Sequence, residues 1–278
     1  MTVVMHRENA ELGSVIRAGR IDTNVHDVGK GQPVLMIHGS GPGVSAWANW
    51  RLNIGPLSRA KRVIAPDMVG FGFTERPSGI NYGKSVWLQQ LADLLDALQI
   101  QKADIVGNSF GGGLAIAFAI RYPERVRRMV LMGSVGVSFP ITTGLDSVWG
   151  YEPSVENMRR LLDIFAYDRN LVSDELADLR YKASIRPGFH ESFSAMFPAP
   201  RQKGVDSLAS DEAAIAKLTH PSLIIHGRED KVIPPDASKR LFNLIPNAEL
   251  HMFGKCGHWT QIEHAERFNT LVADFLKD

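Results

Sequence analysis

The sequence has little that points to disulfides, membranes or a strong charge field. Its 278 residues include one cysteine, and 31 Lys and Arg nearly balance 30 Asp and Glu, for a net charge of +1. One thiol excludes an intrachain disulfide, and balanced charge does not favour nucleic acid or an acidic membrane as a partner. The N-terminal letters MTVVMHRENAEL lack a signal-peptide core, and no run approaches the roughly 20 apolar residues of a membrane helix. We therefore expect a cytoplasmic protein with a small-molecule partner.

Short β-branched runs alternate with amphipathic stretches, which is typical of a mostly parallel sheet with helices on both faces. The runs SVIRAG and IDTNVHDVG alternate in polarity and predict an opening antiparallel pair. Six more strands are predicted at 34–38, 63–65, 103–106, 129–132, 223–226 and 249–253. Hydrophobic residues make up 44% of the chain, enough for a large core. The sequence thus predicts an α/β fold with an eight-stranded sheet.

Helical spacing of apolar residues marks two long stretches. One stripe contains Leu88, Leu91, Leu95 and Leu98, and the C-terminal stripe contains Ile262, Ala265, Phe268, Val272 and Phe275. Such a stripe packs one helix face against a sheet. We therefore predict one helix before the 103–106 strand and one at the C-terminus.

The strand and helix alternation stops between about residues 135 and 210. This part is rich in aromatic residues, has helical spacing at Met158, Leu161, Leu162 and Phe165, and ends in FPAPRQKG. We interpret residues 135–210 as a helical cap inserted into a core of residues 1–134 and 211–278. A cap provides an apolar roof over the strand ends, where open α/β folds bind ligands. Most of its aromatic residues are expected to form the core of the cap.

The segment GNSFG matches the G-x-S-x-G nucleophile elbow, with Ser109 between a predicted strand and a predicted helix. Gly107 and Gly111 would give the backbone clearance that this turn needs. The alternative is a glycine-rich turn with an incidental serine, but the flanking strand and helix favour the elbow. Ser109 is therefore the candidate nucleophile.

A serine hydroxyl needs a histidine base and an orienting carboxylate, in the chain order Ser, acid, His. His258, in a glycine-bracketed loop before the last helix, is the preferred base over His220, His251 and His264. Asp230 follows a buried strand and is the preferred acid. Its neighbour Glu229 should point to the opposite side, and Asp67 breaks the expected order.

Oxyanion donors are expected near the elbow. The amide of Phe110 begins the helix after the serine, and the amide of Ser40 lies in the loop after the 34–38 strand. His38 suits a structural hydrogen-bonding role at its strand end. Cys256 has no elbow and is expected to be a packing residue.

The segments HGSGPGVSAWANW, GNSFGGG, GREDKVIPP and CGHWTQIEHAERF together resemble the meta-cleavage product hydrolase family of the α/β-hydrolase fold. The cap segments SFPITTGLDSVWGY, MRRLLDIFAYDRNLV and IRPGFHESFSAMFPAPRQ resemble the subgroup that serves the degradation of monocyclic aromatic compounds. The resemblance covers the whole chain. It implies hydrolysis of a carbon–carbon bond in a vinylogous 1,5-diketone, without a metal or organic cofactor, by a cytoplasmic enzyme that is expected to be a dimer.

Carried over by position, the resemblance implies a triad of Ser109, Asp230 and His258, with Ser40 and Phe110 as backbone donors. It also implies four polar substrate contacts, Asn49, Asn108, Arg180 and Trp259. A planar guanidinium can hold the substrate carboxylate and the developing dienolate by two hydrogen bonds. The alternative for Arg180 is a surface salt bridge to Asp178 or Glu175, and a packing role stays open for Asn108 and Trp259.

The implied substrates are 2-hydroxy-6-oxo-hexa-2,4-dienoates, such as 2-hydroxymuconic semialdehyde and small 6-alkyl analogues. A pocket for the 6-substituent is predicted from branched or bulky residues, namely Val135, Leu145, Val148, Trp149, Val205, Val232 and Ile233. Their size favours hydrogen, methyl or small alkyl over phenyl. A carboxylesterase or enol-lactonase would share the triad, and a non-catalytic binding protein would normally lack one of its members.

Overall fold

The computed structural model describes residues 9–277, so most of the N-terminal segment MTVVMHRENAEL, for which no signal peptide is predicted, lies outside the described residues. Eight strands form one sheet in the order β1-β2-β4-β3-β5-β6-β7-β8. The strands are β1 Ser14–Ala18, β2 Ile21–Val28, β3 Pro33–Ile37, β4 Arg62–Pro66, β5 Ala103–Asn108, β6 Val126–Met132, β7 Ser222–Gly227 and β8 Ala248–Phe253. The pairs β1/β2 and β2/β4 are antiparallel and the other pairs are parallel. The predicted α/β fold and all eight strands are confirmed.

Helices surround this sheet. They are α1 Ala46–Trp50, α2 Ile54–Ser58, α3 Lys84–Ala97, α4 Phe110–Arg121, α5 Thr143–Trp149, α6 Val155–Phe165, α7 Asp174–Ser184, α8 Phe189–Met196, α9 Gln202–Leu208, α10 Glu212–Ile215, α11 Pro235–Leu244, α12 Thr260–Glu263 and α13 Ala265–Phe275, with short 3-10 helices at Pro123–Arg125 and Arg169–Leu171. No helix in the described part of the chain is both long and apolar enough to cross a bilayer.

Alternation along the strands divides the core between the two faces of the sheet. In β3, Leu35 and Ile37 belong to one buried cluster, whereas Val34 and Met36 belong to another. The first cluster continues into α3 and α4, and the second into α1, α2 and α13. Because successive side chains of a strand point to opposite faces, a strand covered on both sides consists almost entirely of apolar residues.

The C-terminal helix differs from its prediction, because the chain breaks at His264 into α12 and α13. The carboxylate of Glu263 accepts hydrogen bonds from Gly257 N at 2.7 Å and from the amides of Tyr167 and Asp168. These bonds tie α12 to the loop that follows β8, whereas α13 buries Phe268 in the core beneath the sheet. The predicted apolar stripe is present, but its first residue, Ile262, belongs to α12 and the others belong to α13.

Between β6 and β7 the chain forms helices and loops only. Helix α6 buries Met158, Leu161, Leu162 and Phe165, as their spacing predicts. The division into a core and a cap at residues 135 and 210 stays a prediction. The parallel strands β3, β5, β6, β7 and β8 all end at the same edge of the sheet, so the loops after them converge there.

Candidate active site

Ser109 lies on a sharp turn between β5 and α4. Its backbone has φ 54° and ψ −113°, a left-handed conformation that non-glycine residues rarely adopt. Its amide donates to Met132 O at 2.8 Å, at the end of β6. A Cβ on Gly107 would lie 2.4 Å from Gly111 O, and one on Gly111 would lie 2.2 Å from Ile37 O. The glycines around the serine are therefore required by close backbone contacts.

We predict that Gly111→Ala lowers the free energy of unfolding by about 3 kcal/mol or more, because the new methyl group meets a strand carbonyl that cannot move freely. Urea unfolding measures this change. Gly55→Ala is the matched control, since no atom lies within 4 Å of its added Cβ, and it should change stability little. Equal stability of the two variants would contradict the crowded elbow.

His258 lies in the loop after β8, and a buried hydrogen bond to Asp230 fixes its ring. The distance from His258 Nδ1 to Asp230 Oδ2 is 2.7 Å, and both side chains are almost fully buried. The amide of His258 donates to Phe165 O at 2.7 Å, and the Phe165 ring stacks on the imidazole. A proton on Nδ1 that is held by the carboxylate leaves Nε2 as the free, basic nitrogen.

The imidazole lies against the same strand end as the nucleophile. A Cβ on Gly133, the residue after Met132, would lie 3.3 Å from the His258 ring. Within residues 9–277 no hydrogen bond joins Ser109 Oγ to His258. Catalytic hydrogen bonds are often long in ligand-free enzymes and tighten in the complex with substrate. The hydrogen bond between His258 and Asp230 is therefore formed, whereas the hydrogen bond between Ser109 and His258 is not.

Asp230 is held as an ionised carboxylate. Its Oδ1 accepts hydrogen bonds from Val232 N at 2.7 Å and Ile233 N at 3.0 Å, and its Oδ2 is 3.2 Å from His226 Nε2. Burial alone would raise the pKa of Asp230, but His258 and His226 hold it well below its usual range. The acid can therefore stabilise a positive charge on His258 over the whole neutral range.

His226 also contacts the acid, although no motif in the sequence predicted it. Its Nε2 lies 3.0 Å from Ile233 O and its Nδ1 lies 2.6 Å from Ser238 Oγ. A ring that donates from Nε2 to a carbonyl presents the same N–H to Asp230, so His226 positions the acid. Its place at the end of β7, four residues before Asp230, was the available signal.

The predicted oxyanion donors come from the loop after β3 and from the first residue of α4. Phe110 is the first residue of α4, so its amide has no acceptor within the helix. Ser40 follows β3, and its Oγ accepts a hydrogen bond from Trp149 Nε1 at 2.9 Å. Trp149 thus fixes the loop that carries the second amide. The use of these amides on an oxyanion stays a prediction.

One cavity opens beside the elbow, between the loops after β3 and β8 and the helices α6 and α7. Its apolar wall includes Met158, Leu162, Phe165 and Leu176. Its polar wall consists of Ser40, Asn49, Arg51, Asn108, Arg180, His258, Trp259 and Gln261. The four predicted polar substrate contacts, the base and one oxyanion residue therefore line one space. Their contact with substrate stays a prediction.

Arg180 lies on α7 and faces this cavity. Its Nη2 donates to Pro42 O at 3.2 Å, and Asp178, one candidate for a surface salt bridge, pairs with Lys182 at 2.6 Å instead. Burial of the guanidinium lowers the pKa of Arg180 to about 10, so the group stays cationic at neutral pH. The arginine is available for an anion in the cavity.

The seven residues predicted to hold the 6-substituent lie elsewhere. All are buried in the main core cluster, and none lines the cavity just described; they are Val135, Leu145, Val148, Trp149, Val205, Val232 and Ile233. Two of them, Val232 and Ile233, donate their amides to Asp230. Their role in substrate selection stays a prediction.

Other candidates have structural surroundings. Cys256 is buried, and burial raises the pKa of its thiol to about 12. Glu229 accepts a hydrogen bond from Cys256 N and pairs with Arg228, away from His258. Among residues 9–277, no three His, Cys, Asp or Glu side chains are grouped so as to hold a metal ion.

His38 and Asp67 organise the loop after β4. The ring of His38 accepts a hydrogen bond from Met68 N at 2.9 Å, and its Nδ1 lies 2.8 Å from Gly39 O. Burial lowers the pKa of His38 to about 4 and raises the pKa of Asp67 to about 6. A fall in pH therefore destabilises the folded state through His38 and stabilises it through Asp67.

A depressed histidine pKa stabilises the folded state above pH 6.5, and this contribution is lost as pH falls towards 4. The shift of His38 from 6.5 to about 4 amounts to roughly 3 kcal/mol. Asp67 acts in the opposite direction below pH 6, so we compare the wild type with His38→Gln, in which Asp67 is unchanged. The stability difference from urea unfolding should shrink by about 3 kcal/mol between pH 7 and 4. A constant difference would contradict the assignment.

The sheet, the strained serine elbow and the buried His258–Asp230 pair define an enzyme of the α/β-hydrolase class. The family model for the alpha/beta hydrolase fold matches residues 32–265. The chain is 65% identical over 272 residues to the 2-hydroxymuconate semialdehyde hydrolase of Pseudomonas sp. strain CF600, covering 98% of this chain and 96% of the relative. It is 63% identical to a 2-hydroxy-6-oxo-2,4-heptadienoate hydrolase of Pseudomonas putida, covering 98% and 99%.

A solved structure of a meta-cleavage product hydrolase from Pseudomonas fluorescens IP01, a serine-to-alanine mutant complexed with acetates, superimposes with a TM-score of 0.95. The two chains are 64% identical, and the match covers 96% of this chain and 98% of the other. The chain belongs to the meta-cleavage product hydrolase family of the α/β-hydrolase fold, as its motifs predicted.

Proposed function

We propose that the protein hydrolyses a carbon–carbon bond in meta ring-fission products of the 2-hydroxy-6-oxo-hexa-2,4-dienoate type. The products are 2-hydroxypenta-2,4-dienoate and a small carboxylic acid, as expected in the catabolism of aromatic compounds. The observation that carries the proposal is the cavity beside the Ser109 elbow, which both His258 and Arg180 line. Full-length likeness to two hydrolases named for such dienoates supports it.

In the first phase the bound dienol gives up its enol O–H proton and gains a proton at carbon, so that it becomes a ketone, which makes the far fragment an electron sink. Arg180 holds the carboxylate and the C2 oxygen during this change, since a guanidinium can donate two parallel hydrogen bonds. Asn49 and Asn108 line the same wall and fix the orientation of this end of the substrate. Binding of the acid end thus presents the remote carbonyl to the elbow.

In the second phase Ser109, or a water activated by the same base, adds to the remote carbonyl while His258 takes the proton. The resulting oxyanion accepts hydrogen bonds from the amides of Ser40 and Phe110, and loss of one such donor typically costs about 3 kcal/mol. The carbon–carbon bond then breaks and its electrons enter the ketone fragment. On the serine route, water hydrolyses the acyl-enzyme with His258 again as base.

The small substituent preference is part of the proposal. We propose that the seven buried apolar residues named above, among them Val148 and Val232, limit the room for a 6-substituent. The ratio of kcat/KM for the semialdehyde, the methyl ketone and the phenyl ketone tests this. One methylene changes discrimination by only ~1 to 3 kcal/mol, so hydrogen and methyl should overlap while phenyl falls behind. A phenyl preference would refute it.

The direct test is a spectrophotometric assay on the yellow ring-fission product of catechol, with identification of both products. Bleaching that releases formate and 2-hydroxypenta-2,4-dienoate is the expected result. A carboxylesterase or enol-lactonase on the same fold is the alternative. Turnover of p-nitrophenyl esters far above that of the dienol would favour this alternative.

The proposal includes a cytoplasmic homodimer. Two edge strands, β1 and β8, end the sheet, and Val15 on β1 is 72% exposed. Unpaired strand edges can join a second chain. Sedimentation equilibrium of the purified protein tests this, and a monomer at micromolar concentration would count against it.

A further inference from the structure

Arg51 is a cavity residue that the motifs did not indicate. It follows α1 directly, and its Nη1 donates to Ala48 O at 2.7 Å, which folds the side chain back over its own helix. Arg51 is solvent-exposed yet lines the same cavity as the half-buried Arg180. It therefore lies where the cavity opens to solvent.

The two guanidiniums have no anionic partner. Within the described part of the chain, neither Arg51 nor Arg180 forms an ion pair, and no Asp or Glu lines the cavity. Glu11 lies close enough to act on Arg180, but its carboxylate is bound to Arg186 at 2.9 Å and to Ser45 Oγ at 2.5 Å. The cavity consequently has two guanidinium groups in its lining that form no ion pair with a described residue.

Like charges that share a site disfavour each other, and partial burial adds to that cost. Burial lowers the pKa of the Arg180 guanidinium most, and the positive charge of Arg51 lowers this pKa further. An anion with two charged groups on adjacent atoms would relieve both arginines at once, and a single carboxylate could satisfy only one bidentate fork. A 2-hydroxydienoate is such a molecule once its enol is ionised.

We infer that Arg51 is a second substrate-binding guanidinium, so that the ring-fission product binds as a dianion, with its carboxylate and its dienolate oxygen held between Arg51 and Arg180. The inference rests on the proposed function. The enol proton passes to solvent on binding, and the dienolate is then the species that is protonated at carbon. Arg51 thus binds substrate and favours its reactive form.

The first test uses the Ser109→Ala background, in which the ring-fission product is bound but turned over slowly. Adding Arg51→Gln should weaken binding about tenfold or more, the effect of losing a hydrogen bond to a charged group. It should also diminish the long-wavelength dienolate absorbance of the bound chromophore. Arg59→Gln is the matched control, since Arg59 is an exposed arginine at the end of α2, outside the cavity. Equal effects of both substitutions, or an unchanged bound spectrum with Arg51→Gln, would overturn the inference.

The second test separates this inference from the proposed reaction. Oxalate, a dianion with carboxylates on adjacent carbons, is titrated into the wild type, Arg51→Gln and Arg59→Gln by calorimetry. We expect binding at least tenfold weaker in Arg51→Gln only. This result together with no turnover of ring-fission products would refute the proposed function and keep the two-arginine site. Failure of the wild type to bind oxalate, or equal binding by all three proteins, would refute the site.

Discussion

Ser109→Ala is expected to lower kcat for the ring-fission product by on the order of 10⁴- to 10⁶-fold, because the nucleophile of a triad acts as a unit with its base. Binding should survive, since Asn49, Asn108 and Arg180 are untouched. The measurement is loss of the yellow chromophore under single-turnover conditions, where a slow chemical step is visible after fast binding.

The control for this variant is Cys256→Ala. The thiol is buried and has its pKa raised to about 12, so it supplies almost no thiolate and its loss should leave kcat within a few-fold. If Ser109→Ala kept a tenth of the wild-type rate, water activated by His258 would be the attacking group. The nucleophile assignment would then be wrong, although the base could remain.

Asp230→Asn is expected to lower kcat about 10⁴-fold while the fold is retained. The carboxylate receives two backbone amides and faces two histidines, so an amide in its place turns an N–H group towards one of these donors. The His258 ring then loses the partner that keeps its proton on Nδ1, and Nε2 no longer serves as base. Steady-state kinetics with the semialdehyde measure the loss.

Glu229→Gln is the matched control, because it removes the neighbouring negative charge from the same loop. Glu229 binds Arg228 and Cys256 N rather than His258, so kcat should change only a few-fold. Comparable losses in the two variants would mean that the loop charge matters and that Asp230 has no special role.

The sequence predicted what depends on local patterns. The strands are found within a few residues of their predicted positions, because a strand such as β3 is buried on both faces and therefore apolar throughout. The elbow was predictable for a similar reason, since Gly107 and Gly111 are needed wherever backbone contacts are closer than a methyl group allows. The break at His264 was not predictable, because Glu263 binds amides that are distant in sequence.

Residues whose role depends on tertiary contacts could not be predicted from the sequence. Arg51 enters the cavity only because α1 ends beside it, and Gln261 lies on the same wall through a hydrogen bond to Asn49 O at 3.4 Å. His226 touches Asp230 because β7 ends next to the acid loop. No periodicity or motif marks such contacts. The prediction of seven apolar residues around the 6-substituent depends on resemblance and size, and the cavity lining does not include them.

Covalent labelling with a fluorophosphonate, followed by peptide mass mapping, tests the relay most directly. Activation of one hydroxyl by His258, itself aligned by Asp230, predicts a single adduct on Ser109 in the wild type and very little in His258→Ala. An adduct on another residue, or undiminished labelling of Ser109 without the imidazole, would contradict the account.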